Sequence, residues 1–194
     1  MKKTANTNFP INELIKNRWS PRAFSFHKIP QDVILTLFEA AIWSPSSRNE
    51  QPWRFIYGVK DEGPNYKKIY DCLVHWNQQW AKSAPLLVMA VTKRNSEYHN
   101  EENAFAFYDL GQAVANLTIQ ATDMDLFCHQ MGGFDKEKAK DTFNIPANYS
   151  AVTVIAIGYY GDSEKLPDDM KELEIKARSR FNIDRIAFNG DFKP

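Results

Sequence analysis

Phe107-Tyr-Asp-Leu-Gly-Gln-Ala-Val-Ala-Asn-Leu-Thr-Ile-Gln-Ala-Thr-Asp-Met124 carries the strongest periodic signal in the chain. Its apolar positions Phe107, Leu110, Val114, Leu117, Ala121 and Met124 alternate steps of three and four, the spacing of one face of an α-helix. Small residues Ala106, Gly111, Ala113 and Ala115 fall beside that seam, so a second face could approach another helix closely. A helix with two packing faces is central to its fold or lies at a subunit contact. The spacing alone is equally consistent with a helix buried wholly within one subunit.

Two apolar runs flank this helix in sequence, Leu86-Leu-Val-Met-Ala-Val-Thr92 and Ala151-Val-Thr-Val-Ile-Ala-Ile-Gly158. Both read as core strands, the first nearly continuous, as in a central strand covered on both faces. Residues 54–59 and 126–130 supply two shorter strands. Helices are expected over 9–17, from Pro30 and Asp32 to Trp43, over 66–82, from the cap Asp135 to before Asn144, and over 167–177. Residues 132–133 read as a turn. Helices outnumber strands and do not alternate with them regularly, so the expected class is α+β, in one domain spanning 1–194. The tail 178–194 places Ile183, Ile186 and Phe188 in a short extended pattern that cannot make a core alone, so it must lie against the body or a partner.

Lys plus Arg and Asp plus Glu each number 24, leaving no positive excess with which to release counterions from a nucleic acid. No apolar run approaches the ~20 residues that span a bilayer. The start Met1-Lys-Lys-Thr leads into Ala5-Asn-Thr-Asn-Phe-Pro10 rather than an apolar signal core. Cys72 and Cys128 stand far apart, with no metal-ligand spacing among them or among His27, His75, His99 and His129. The expectation is a reduced, cytoplasmic protein that binds neither nucleic acid, membrane nor metal. GxGxxG, GxxxxGK[ST], HExxH and GxSxG are all missing, which removes the commonest nucleotide and hydrolase signatures.

Three polar groupings remain. In Asn17-Arg-Trp-Ser-Pro-Arg22, two guanidinium groups four residues apart, with a hydroxyl between them, suit a phosphate, whose oxygens match their forked donors. In Pro45-Ser-Ser-Arg-Asn-Glu-Gln-Pro-Trp53, Ser46, Ser47, Asn49 and Gln51 crowd donors and acceptors that suit the edge of a heterocycle, with Trp53 either an aromatic wall or plain core. In Gln130-Met-Gly-Gly-Phe134, paired glycines let the backbone pass close to a flat ligand. A phosphate clamp, an amide-rich loop and a close backbone approach are together the parts that a flavin mononucleotide needs.

These stretches also carry a resemblance. Arg18-Trp-Ser-Pro-Arg22, the run from Ala40 to Phe55, Tyr108-Asp-Leu-Gly-Gln-Ala113, His129-Gln-Met-Gly-Gly-Phe-Asp135 and Ala156-Ile-Gly-Tyr-Tyr-Gly-Asp162 strongly resemble the nitroreductase family of flavoenzymes, from about Ile11 to the tail. The resemblance implies a mostly antiparallel sheet flanked by helices, in an intertwined homodimer whose tail extends onto the partner. Two FMN molecules would sit at the dimer interface. Carried over by position, Arg18, Ser20 and Arg22 would bind phosphate and ribityl chain, beside Trp19, where many relatives have a smaller or basic residue. Arg180, with Arg178 as the lesser candidate, would close on the phosphate. Pro45, Ser46, Ser47, Asn49 and Gln51 would contact the flavin from the other subunit, Met131, Gly132 and Gly133 would lie against its ring, and Asn77 would reach its pyrimidine end.

The activity so implied is ping-pong hydride transfer from NAD(P)H to a nitroaromatic, quinone or related small-molecule acceptor. The chemistry would be carried by FMN, with no catalytic side chain required. The same scaffold supports reductive dehalogenation, enoyl reduction, or flavin binding without turnover. Residues 93–102 are the expected part of a substrate lid.

Overall fold

The computed structural model describes residues 3–98 and 101–192. The apolar run at 86–92 becomes β2 (Leu86–Lys93), and alternate side chains enter opposite layers of the molecule. Leu86, Val88 and Ala90 join one buried cluster, while Leu87, Met89 and Val91 join the other. Both faces of a strand can be that apolar only if helices cover both sides, and they do. β1 (Trp53–Val59), β2, β4 (Tyr149–Gly158) and β3 (Phe127–Met131) form one sheet in the order β1-β2-β4-β3, with every pairing antiparallel. A register shift between Ala90 and Val91 leaves Val152 of β4 as an extra, bulged residue. The expected α+β class and antiparallel sheet are both present.

One layer is built from α2 (Gln31–Ile42) and α5 (Ala106–Asp123), which supply Ile34, Leu37, Leu110, Val114 and Leu117. Trp53 is buried in that layer, so of its two readings the core one holds. The other layer carries α3 (Asn65–Cys72), α4 (His75–Ala81), α6 (Lys136–Phe143) and part of α7 (Asp168–Ile175), around Ile69, Trp80 and Met170. Asp135 caps α6 as expected, its side chain accepting from the Lys138 N–H. A short α1 (Glu13–Asn17) begins later than its predicted start at residue 9 and buries nothing of its own.

Three expectations change. The helix predicted over 66–82 breaks at Leu73 and Val74, both in extended conformation, and becomes α3 and α4. Its interruption is filled from outside: Leu73 forms a bridge with Phe134, and the Val74 N–H donates to the Gly133 carbonyl at 3.1 Å. The seam of α5 is rotated from the one drawn on the sequence. Ala106 and Ala113 turn inward, whereas Phe107 stays 54% exposed beside exposed Tyr108, Gly111 and Ala115. The tail holds one turn of 3-10 helix at Ile183–Arg185 in place of an extended pattern, and Phe181, Ile183 and Ile186 remain exposed.

Candidate functional site

Residues 18–25 leave α1 at its cap, Arg18, and run across the far end of the sheet. Gly161 donates to the Ala23 carbonyl, and Ser25 donates to the Tyr159 carbonyl, each at 2.9 Å. A Cβ on Gly161 would fall 2.4 Å from the Phe24 carbonyl, so only glycine permits this crossing. Two side chains, buried Glu174 and half-buried His129, fix the middle of the segment. Both carboxylate oxygens of Glu174 accept from the Arg22 N–H, at 3.1 and 2.9 Å, and one also accepts from the Ala23 N–H at 3.1 Å. From the opposite side, His129 of β3 donates through Nδ1 to the Pro21 carbonyl at 2.8 Å. A carbonyl can only accept, so Nδ1 carries the proton. Burial pushes the His129 imidazole down to about 4, despite that hydrogen bond, with the Arg22 charge adding to the shift.

Around this segment guanidinium groups collect. Burial, followed by the charge of Arg180, holds Arg18 below the ordinary arginine range, and Arg178 is lowered by burial and by the charges of Arg18 and Arg180. The salt bridges found among the described residues involve none of Arg18, Arg22, Arg178 and Arg180. Arg18 donates to the Ser20 hydroxyl at 3.3 Å, and the Nε of Arg22 is buried without a partner. Arg178 donates to the Lys3 and Lys16 carbonyls at 2.8 Å each, whereas Arg180 donates to the neighbouring Ser179 carbonyl at 2.7 Å. Such a concentration of like charge is unfavourable unless an anion joins it. The donor set therefore fits a phosphate group such as that of FMN.

Trp19 faces inward, 5% exposed, packed against Phe127 and Tyr160 with the Lys3 ammonium 4.8 Å above its ring. Its ring is thus a core group, with the indole Nε1 buried and unpartnered.

Beyond His129, β3 ends at buried Met131 and passes into Gly132 and Gly133. Neither glycine has a positive φ, and the expected tight turn is closed by the Phe134 N–H donating to the Gly132 carbonyl at 3.2 Å. What demands glycine at 133 is proximity: a Cβ there would stand 2.8 Å from Asn77 Nδ2 and 3.0 Å from Val74 Cγ2. Asn77 donates to the Gly133 carbonyl at 2.9 Å and so braces this strand end from behind. A Cβ on Gly132 would meet nothing within 4 Å, leaving a smooth face open to a flat ring.

The loop at 44–52 is held by other partners. Buried Asp109 of α5 accepts from the Ser47 N–H at 3.0 Å, and Asn116 donates to the Ser44 hydroxyl at 2.7 Å. Ser46 Oγ accepts from the Gln51 N–H, and Pro45 is exposed. Arg48, Asn49 and Gln51 all have positive φ, at 52°, 57° and 46°, a local strain that concentrates at binding sites. Glu50 ties this loop to the proposed lid, bonding the Ser96 hydroxyl, the Glu97 N–H at 3.3 Å and the Asn103 amide at 3.4 Å. His99 and Asn100, within that lid segment, lie outside the described residues. The chain thus brings residues 18–22 and Arg178 against one another and against His129 in the middle of β3, sets Met131, Gly132 and Gly133 at the far end of that strand beside Val74 and Asn77, and anchors 44–52 to α5.

Sequence reasoning missed Asp109, Glu174, His129 and Glu50. A signal existed for two of them. Glu174 follows buried Met170 by four positions and so shares its helix face, and Asp109 adjoins Leu110 on the inner side of α5.

Comparison with known proteins places this arrangement. The nitroreductase family model matches residues 15–70 and 59–159. A crystal structure described as an oxidoreductase containing FMN is 34% identical, covers 97% of this chain and 96% of its own, and superposes with a TM-score of 0.92. A protein of Archaeoglobus fulgidus provisionally named NADH dehydrogenase/NAD(P)H nitroreductase is 27% identical over 90% of this chain and 94% of its own. An iodotyrosine deiodinase of Thermotoga neapolitana is 22% identical over 83% of this chain and 90% of its own. With the family model covering well over half of its length, the chain belongs to the nitroreductase family.

Proposed function

We propose that the whole chain acts as one FMN-binding domain of a homodimeric NAD(P)H oxidoreductase that reduces nitroaromatic, quinone or related acceptors. The observation that carries this reading is the grouping of the Arg18, Arg178 and Arg180 guanidinium charges, with Arg22 on the same segment as Arg18 and none of the four in an ion pair among the described residues. When bound, FMN would supply the hydride chemistry linking NAD(P)H to the acceptor, with the side chains named below holding it. Arg18, Ser20, Arg22 and Arg180 bind the phosphate end, each charge-assisted hydrogen bond contributing about 1.5–3 kcal/mol. Met131, Gly132 and Gly133 form the surface against which the ring lies, and Asn77 keeps that surface in place. Pro45, Ser46, Ser47, Asn49 and Gln51 complete the site from the second subunit, which is why their own anchors lie on α5 rather than beside the arginines.

The resemblance to a deiodinase supports a second reading, reductive dehalogenation on the same flavin. A panel assay separates the two. Protein loaded with FMN is expected to oxidise NADH or NADPH when offered quinones or nitroarenes, with parallel lines in a two-substrate plot. Turnover confined to halogenated phenols would favour the second reading. A protein that binds FMN but reduces nothing offered would remove both.

A further inference from the structure

We propose that Glu174 is a positioning residue for the phosphate end of the cofactor, acting through the main chain of Arg22 and Ala23; this rests on the FMN reading above. A carboxylate 1% exposed is costly unless its oxygens are well satisfied. Those of Glu174 are, but by backbone. They accept three hydrogen bonds from two consecutive N–H groups lying about 150 positions earlier in the chain. No salt bridge among the described residues joins Glu174 to an arginine. That choice of partner matters. A carboxylate pairing with the Arg22 guanidinium would neutralise the charge that a phosphate needs. By gripping the peptide N–H instead, it fixes where the Arg22 side chain starts and leaves its buried Nε without a partner.

The neighbouring contacts agree with this role. Lys3 donates to the main-chain carbonyl of Glu174 at 2.6 Å, holding α7 near the segment, and His129 restrains Pro21 from the other side. Residues 21–23 are therefore clamped on both flanks by side chains of the protein itself. A carboxylate placed only to hold the fold together would have no bearing on which end of a flavin binds.

Riboflavin shares the ring and ribityl chain of FMN but lacks the phosphate, and that difference supplies the test. Flavin-stripped wild type, Glu174→Gln and Glu174→Asp are titrated with both ligands by fluorescence, with circular dichroism to verify the fold. Glu174→Gln replaces one acceptor by a donor facing the two N–H groups. It is expected to weaken FMN binding about tenfold while leaving riboflavin within about twofold of wild type. Glu174→Asp keeps both oxygens but withdraws them by one methylene, and is expected to lose part of the same preference. Should Glu174→Gln not fold, the aspartate variant decides alone. Unchanged FMN affinity, or equal loss of both ligands, overturns the proposal. Wild type that binds neither flavin overturns the functional reading and this one with it. A wild-type preference for FMN that the variant keeps in full overturns this proposal only.

Discussion

His129 is neutral in the folded protein because charging it where it lies, with its ring 4.4 Å from that of Trp80, would strip an imidazolium of water. Its value falls from 6.5 to about 4 on folding, so below about 6.5 the unfolded chain binds the proton more readily than the native one. Stability from this group is therefore complete above 6.5 and is lost progressively as pH falls toward about 4, in total about 3 kcal/mol. Urea unfolding at pH 7.5, 5.5 and 4.5 should show that loss in wild type and a shallower dependence in His129→Gln. Identical slopes for the two proteins would dismiss the assignment. At this scale, charge and hydrogen-bonding type made Arg18, Arg22 and the serines candidates from the sequence. Glu174 and His129 were hidden because their partners are main-chain atoms distant along the chain, which no residue type announces.

The break between α3 and α4 and the strand end at Gly133 are two halves of one junction. The helix yields at Leu73 because Phe134 and Gly133 take the hydrogen-bonding places that a further helical turn would occupy. Composition at 66–82 is helical throughout, so local reading merges the two pieces, and only the tertiary contact divides them. The narrowness of the junction has a measurable consequence. Gly133→Ala would push a methyl into Val74 and the Asn77 amide, whose bond to the Gly133 carbonyl would have to yield. The cost expected is about 1–3 kcal/mol, seen as a fall of roughly 2–12 °C in Tm. A Tm within about 1 °C of wild type would mean that Asn77 moves aside freely and braces nothing. The strands at 86–93 and 149–158 posed no such difficulty, since their apolar runs match what a sheet covered on both sides requires.

For the molecule as a whole, the telling quantity is apolar surface left uncovered. Trp43 is 79% exposed, Tyr108 69% and Phe181 66%, and Phe107 and Ile186 are exposed as well. Scattered exposed apolar residues are ordinary, but rings this large on a helix and on a tail suit a second subunit. Gly111 lies on the outer side of α5, where a side chain would meet nothing within its own chain. Gly111→Leu should therefore leave the subunit folded, yet obstruct a partner. Sedimentation is expected to show a wild-type dimer, and a monomer with weakened FMN retention for the variant. A variant that stays dimeric and keeps its flavin would exclude this face of α5 from the contact. The sequence hinted at a second face on this helix, but it could not say which residues turned outward, because small residues fall on both its buried side (Ala106, Ala113) and its exposed side (Gly111, Ala115). One consequence of the Glu174 and His129 clamps concerns what can vary: both end on main-chain atoms, so exchanging the Arg22 side chain would leave the path of the strand-crossing segment as it is.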